Sequence, residues 1–275
     1  MRYVLGSDDP EIGRLDLQAD WLEEPTRLIL RLAGIESGMR VLDLGTGLGH
    51  VALAVADLVG QKGQVVGIDS DDHMLATATR RAQGRLNVAF VKGDVCTWSS
   101  NEPFDAIVGR LILFHLPDAV DAVRRHLAHL RPGGRFVAID YDIGSCRTEP
   151  QTTLVEMNAK RVLAAFRSAG ANPVIGARLA LMLADAGLVG TRTFGAQGYI
   201  APDDPRGPAM LAGVVRSLAA QMHVAGIATA EELDVETLEA RLTAEVRALR
   251  SVVVPPTLVG AWGRWGPDDA PLHLN

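Results

Sequence analysis

Between residues 40 and 141, short apolar runs alternate with helical stretches, and this alternation constrains the fold more than any other feature of the chain. The runs lie at 40–45, 64–69, 87–91, 105–108 and 135–141, and helical spacing marks 50–58, 72–82 and 117–130 between them. The turn Arg131-Pro132-Gly133-Gly134 precedes the last run. A strand that is apolar along its whole length is buried on both faces, as in a parallel sheet with helices packed above and below. Residues 35–142 are therefore expected to form an α/β doubly wound unit.

Outside that unit the rhythm changes. Helical spacing covers 21–32 before it, with Gly34 as the stop, and 151–168, 175–186, 207–224 and 231–249 after it. Strand-like runs at 191–200 and 251–262 frame the last two helical stretches, which read as an insertion in the sheet domain rather than as a second core. The expected organisation is a helical N-terminal cover over 1–34, then one domain over 35–275 with helical lid segments near 145–175 and 205–250.

Composition narrows the function classes. With 48% hydrophobic and 22% charged residues the chain has the material for a sizeable core. A net charge of −6 gives no broad basic surface for a nucleic-acid backbone. No apolar stretch reaches the roughly 20 residues that span a bilayer, and MRYVLGSDDPE lacks the layout of a signal peptide. Cys96 and Cys146 are too few for a disulfide framework, which points to a reducing, cytoplasmic setting, and the sequence has no cluster at metal-ligand spacing, so no metal is expected.

Asp43-Leu44-Gly45-Thr46-Gly47-Leu48-Gly49-His50 places glycines at a strand-to-helix turn, where the backbone can pass close under a ligand. Taken alone, such a turn is also what a tight connection needs. A dinucleotide fingerprint puts its third glycine where His50 stands, and the acid Asp43 suits a positively charged ligand better than a pyrophosphate. Both points disfavour a nicotinamide dehydrogenase. Asp69 ends the second run at the position of an acid that chelates ribose hydroxyls, and Asp94, in Lys92-Gly93-Asp94-Val95, is placed to accept from an adenine amino group. Together the turn and the acids at successive strand ends indicate a nucleoside ligand.

These segments resemble the class I S-adenosylmethionine-dependent methyltransferases, through VLDLGTGLGH, VVGIDSDDHML, VKGDV, FDAIVGRLILFHLPD and LRPGGRFVAIDYD in order over Arg40 to Asp142. N-terminal Tyr3-Val4-Leu5-Gly6, Glu11, Arg14-Leu15 and Gln18, with C-terminal Ala261-Trp262-Gly263-Arg264, are similar to the bacterial small-molecule branch. The resemblance implies a Rossmann-like, seven-stranded, mostly parallel sheet with an antiparallel last strand. It also implies S-adenosyl-L-methionine as cofactor. Gly45, Thr46 and Gly47 would then line its methionine part, Asp69 its ribose hydroxyls, Ser70 and Met74 the ribose and adenine, and Asp94 and Val95 the adenine. The backbone carbonyl of Arg110 would approach the amino group, and Tyr3 and Gln18 would close over the methionine end.

For the chemistry, alignment and desolvation supply much of a methyl transfer, and a base is needed only where the acceptor must lose a proton. His115 and Tyr141 are the candidate catalytic residues, with packing as the plainer role for His115. His50 is read as touching the ligand or facing solvent, and His223 with Met222 as core packing rather than pocket lining. The apolar stretch Met210, Leu211, Val214, Val215, Leu218, Met222 and Val224 needs a partner, either a pocket wall or the interface of a homodimer. The expected activity is methyl transfer to oxygen, nitrogen or carbon of a small, largely apolar metabolite of secondary metabolism. The other class kept open is a cofactor-binding protein of the same fold without methyl transfer, such as a cyclase helper or a regulator. Methylation of nucleic-acid bases is disfavoured, because Gly109-Arg110-Leu111-Ile112 stands where an Asn-Pro-Pro-Tyr-like tetrad would be needed.

Overall fold

The structure, a computed structural model, describes residues 9–266, with side chains from Ile12 onward. Strands β1 (Arg40–Leu44), β2 (Gln64–Asp69), β3 (Val88–Lys92), β4 (Phe104–Arg110) and β5 (Leu130–Asp142) pair in parallel in the order β3-β2-β1-β4-β5. After the short β6 (Arg147–Glu149) come β7 (Val189–Ala196), β8 (Val252–Val254) and β9 (Thr257–Arg264). Strand β9 runs antiparallel between β5 and β7 and so completes a seven-stranded, mostly parallel sheet from the inside, leaving β7 at the edge. Strands β6 and β8 form a separate two-stranded sheet.

The central strands are apolar on both faces because helices cover both. Val41, Val65, Ala106, Val108, Val137 and Ile139 share one core with α1 (Asp9–Leu32) and α2 (His50–Val59). Their neighbours Leu42, Leu44, Ile107, Phe136 and Ala138 join the other core, with α4 (Ala119–Leu127) and α6 (Leu179–Asp185). Helix α3 (Asp72–Arg81) packs on β2 and β3, and Asp71 caps it by accepting from the N–H groups of His73 and Met74 at 2.8 and 3.2 Å. Helix α1 lies flat on β9 where Gly260 leaves room for Ile29: a Cβ at that glycine would come within 2.3 Å of the isoleucine.

Several expectations are corrected. The N-terminal helix begins at Asp9, well before the periodic stretch at 21–32, because its first turns carry few apolar residues. The turn at 131–134 is absorbed into β5 as an irregularity between the pairs Phe104–Leu130 and Ala106–Arg135. The helical stretch at 231–249 is two helices, α8 (Ala230–Leu233) and α9 (Leu238–Ala248), separated at Asp234, whose φ of 40° is left-handed. The run at 251–262 is also divided, at Pro255 and Pro256, between β8 in the small sheet and β9 in the large one. His223 is exposed, while its neighbour Met222 is buried.

Above the carboxyl ends of the parallel strands sit α5 (Thr153–Ser168) and α7 (Arg206–Val224), with α9 behind α7. Glu245 of α9 caps α5, accepting from the Leu154 N–H at 2.9 Å. Val215, Leu218 and Met222 of α7 are fully buried in this stack, so that face of the helix is covered within the chain. Among the described residues no helix is long and apolar enough to cross a membrane.

Candidate functional site

A cavity of about 1000 Å³ lies at the carboxyl ends of β1 to β5, roofed by α1 on one side and by α5 and α7 on the other. In an open parallel sheet this is where ligands bind, at the point where the strand order reverses, here between β1 and β4. The residues expected from the sequence converge on it: Gln18, Gly45, Thr46, Gly47, Asp69, Ser70, Met74, Asp94, Val95, Arg110, His115 and Tyr141 all line its wall. Tyr3 lies outside the described residues.

The glycine turn divides its work among three positions. Gly45, Gly47 and Gly49 all take left-handed φ values, of 63°, 51° and 82°. A Cβ at Gly45 would strike Ile112 at 2.7 Å, and one at Gly49 would press on Ala78 and Phe90 at 3.0 Å, so these two glycines serve packing. At Gly47 an added Cβ would meet nothing within 4 Å, so the bare backbone there faces open space. The Gly47 N–H donates to Asp69 Oδ2 at 2.9 Å, and the Asp71 N–H to Oδ1 at 3.0 Å. Each carboxylate oxygen thus spends one lone pair on the backbone and keeps another, which fits a ribose diol. Asp94 is anchored in the same way by the Cys96 N–H at 2.7 Å, and this bond holds its carboxyl below the ordinary range.

Beneath the turn Asp43 is 1% exposed, and the Thr46 hydroxyl donates to its Oδ2 at 2.6 Å. Burial pushes the Asp43 carboxyl up to about 7, against the pull of the Thr46 hydrogen bond and the Arg110 charge. The Arg110 guanidinium donates to Thr26 of α1 at 3.0 Å, which ties the fourth strand end to the N-terminal helix. Tyr141, at the end of β5, is pushed up to about 12 by burial, opposed by Arg110, Arg14 and a hydrogen bond with Gln18. Arg14 donates to Gln18 at 2.6 Å. This end of the cavity is polar and carries two guanidinium groups over one buried acid.

The other end is apolar. Val155, Val162 and Phe166 of α5 face Met210, Leu211 and Val214 of α7, with Val253, Pro255 and Pro256 closing the wall. His115 stands where the two ends meet, its ring 3.7 Å from that of Phe114 and 6.4 Å from that of Phe166. Burial lowers its pKa to about 4, so the imidazole is neutral at pH 7. Cys146 lines the same region, and burial pushes its thiol up to about 11. Among the described residues no group of three or more His, Cys, Asp or Glu is arranged to hold a metal ion.

Two site features had little or no signal in the sequence. Arg14 reaches the cavity because α1 starts early, and its spacing of four from Gln18 becomes informative only once that helix is known. Leu111, beside Arg110, adopts a φ of 55° although it is not glycine, a strained conformation fixed by its N–H donating to the Ile139 carbonyl at 2.8 Å. Leucine gives no hint of such a turn.

The family described as "Methyltransferase domain" matches residues 35–172, half of the chain. Among curated proteins, trans-aconitate 2-methyltransferase of Rhizobium rhizogenes is 32% identical over 136 residues, covering 50% of this chain and 50% of its own. The ubiquinone/menaquinone biosynthesis C-methyltransferase UbiE of Pseudomonas putida is 34% identical over 120 residues, covering 42% of this chain and 46% of its own. The match spans about half the length of these relatives or less. Among solved structures, YcgJ of Bacillus subtilis superposes with a TM-score of 0.57 at 22% identity, over 89% of this chain and all of that one. The Haemonchus contortus phosphoethanolamine N-methyltransferase 2, solved with S-adenosyl-L-methionine, gives 0.55 at 19% identity, over 89% of this chain and 53% of that one. These two show the same fold. With the family match over the whole parallel sheet, the chain belongs to the methyltransferase domain family, whose cofactor is S-adenosylmethionine.

Proposed function

We propose that this protein transfers a methyl group from S-adenosyl-L-methionine to a small, largely apolar acceptor. The observation that carries the reading is the division of one continuous cavity into an end built for a nucleoside and an end built of hydrocarbon. At about 1000 Å³ it stands at the top of the usual range for a single drug-sized ligand, so cofactor and acceptor fit together. Gly47, Asp69 and Asp94 supply an open backbone approach, a diol acceptor and an adenine acceptor, which suits the cofactor's nucleoside. Thr46, Gln18, Arg14 and Arg110 surround the remaining polar space, which suits its amino-acid part. Bound there, the cofactor supplies a methyl group on a sulfonium.

The protein's own contribution is alignment and exclusion of water. The apolar wall from α5 and α7 would orient the acceptor, whose nucleophilic atom would donate the electron pair for the new bond to carbon as the carbon–sulfur bond breaks and its pair returns to sulfur, leaving the neutral thioether. His115 at the junction and Tyr141 in the polar end are neutral groups, suited to hold a ligand by hydrogen bonds rather than to remove a proton. The 1–34 segment acts as a cover and the segments around 145–175 and 205–250 as the acceptor-side lid of one domain. The trans-aconitate and quinone relatives bracket the acceptor's polarity, and the hydrocarbon wall favours the quinone-like end, with a role in secondary metabolism and a cytoplasmic setting. A homodimer would use a face other than the buried one of α7, and its mass in solution is read by light scattering. Calorimetry with S-adenosylhomocysteine, followed by transfer of labelled methyl from the cofactor into apolar metabolite fractions, tests the reading. Micromolar binding with transfer supports it. Binding without transfer to any fraction moves the protein to the cofactor-binding class, and no binding overturns the reading.

A further inference from the structure

His50 stands where a dinucleotide fingerprint has glycine, and it lines the cavity beside the glycine turn. Its ring also ties three elements together. Its Nε2 lies 2.9 Å from Asp16 Oδ1 on α1 and 2.7 Å from Arg81 Nη1 at the last turn of α3, and this one nitrogen either donates to the carboxylate or accepts from the guanidinium according to its tautomer. Arg81 closes the triangle, its Nη2 donating to Asp16 Oδ2 at 2.8 Å. The three side chains come from three elements, and each element carries a part of the cavity's polar end. His50 opens α2 directly after the glycine turn, α3 begins at the Asp71 cap beside Asp69, and α1 brings Arg14 and Gln18 to the polar end.

Helix α1 is held on the sheet from Leu22 onward, where Leu22, Ile29 and Leu30 are buried. The turns that reach the cavity lie before that point. There the stem of Arg14 runs past Gly213 of α7, and Ala19 is buried. Asp16 itself stands outside the cavity wall, yet it sits within the same two turns as Arg14 and Gln18. We propose that Asp16 is a positioning residue for the cofactor. Through His50 and Arg81 it fixes the first turns of α1 against the glycine turn and α3, and so sets Arg14 and Gln18 at their working height over the cavity. The proposal rests on the reading that the cofactor occupies this end of the cavity.

The charged groups involved are part-exposed, with 41% of the Asp16 side chain open to solvent, so the clamp acts as a modest bias and not as a rigid lock. In Asp16→Asn the dissociation constant for S-adenosylhomocysteine rises roughly three- to tenfold, while the urea midpoint of the ligand-free protein stays close to wild type. Asp16→Glu, which keeps the charge, recovers most of the affinity. Hydrogen exchange of the ligand-free protein gives a readout that needs no cofactor: amides of residues 12–19 exchange faster in Asp16→Asn, and those of 26–32 do not. Unchanged affinity in Asp16→Asn, or unchanged exchange at 12–19, overturns the proposal. If wild type binds no S-adenosylhomocysteine, the methyltransferase reading falls by itself, and the exchange experiment still decides whether the clamp holds α1.

Discussion

Two neighbouring glycines offer a test in which stability and binding are expected to move in opposite order. Replacing Gly47 with alanine puts a methyl group at φ 51°, and replacing Gly49 puts one at φ 82°. The left-handed backbone costs each variant about 1–2 kcal/mol. Gly47→Ala adds no contact, since its Cβ meets nothing within 4 Å, so its stability loss stays near that figure. Gly49→Ala must also push Ala78 and Phe90 away from 3.0 Å, an overpacking cost of about 1–3 kcal/mol. The total for Gly49→Ala is then roughly 2–5 kcal/mol, still survivable for a domain of ordinary stability. Binding reverses the order. The new methyl group of Gly47→Ala occupies the face along which the cofactor has to pass, and S-adenosylhomocysteine affinity falls at least about tenfold. Gly49→Ala, where folded, binds within about threefold of wild type, because its methyl group points into the helix packing. Urea unfolding without ligand and calorimetry at 25 °C supply the two measurements. Wild-type affinity in Gly47→Ala, or a larger stability loss there than in Gly49→Ala, would refute the assignment of the open face to the cofactor.

Other outcomes follow from the same geometry. Asp69→Asn loses a charged acceptor for the ribose hydroxyls, and calorimetry should show S-adenosylhomocysteine binding weakened by about 1.5–3 kcal/mol, more than tenfold. Val214→Asp sets a charge in the apolar wall, and should abolish labelled-methyl transfer to apolar acceptors while leaving S-adenosylhomocysteine affinity within about threefold. His126 is 1% exposed, bonds the Val95 carbonyl at 2.8 Å, and is lowered from 6.5 to about 4, first by burial. As pH falls through that window, the unfolded chain takes up a proton that the folded one refuses, so this group's contribution is full above the upper value and lost below it. Asp43, raised from 3.8 to about 7, acts in the opposite sense over an overlapping range, so the informative quantity is the gap between wild type and His126→Gln. Urea titrations should show that gap narrowing by about 1 kcal/mol per pH unit on the acid side of neutrality, and a constant gap would contradict the burial argument.

The parallel half of the sheet was legible because each of its strands is apolar on two faces, a pattern that needs no partner to be recognised. Asp69 and Asp94 were legible for a related reason: an acid at the end of such a strand stands at the ligand edge of the sheet, whereas Asp43, read in the same way, is buried beneath the turn and does not line the cavity. The late strands were harder to place. Residues 251–262 read as one apolar run, yet Pro255 and Pro256 divide it between two sheets, and nothing local states which sheet each half joins. The start of α1 was missed because its first turns are mostly polar: Asp16 finds its partners far along the chain in His50 and Arg81, while Arg14 and Gln18 pair with each other one turn apart. Leu111 was invisible for a different reason, since its backbone is held by the Ile139 carbonyl and not by its own preference. For Asp16, Leu111 and the divided late strand, what escaped the sequence was a long-range contact that overrides a local tendency.

The position of β9 has a consequence for assembly of the chain. Arg135–Asp142 and Val189–Ala196 never pair with each other; both pair with Thr257–Arg264. Until that last strand has been synthesised, the segment at 189–196 has no neighbour, and one flank of β5 is an open edge able to template pairing with another chain. The pairs between β5 and β9 span more than a hundred residues, which makes them slow to form. The earlier strands and helices are then expected to gather first, with closure of the sheet as the late and aggregation-sensitive step. Arg192, set opposite Trp262, and Arg264, set opposite Val189, place positive charge along these strands and oppose such pairing with another chain.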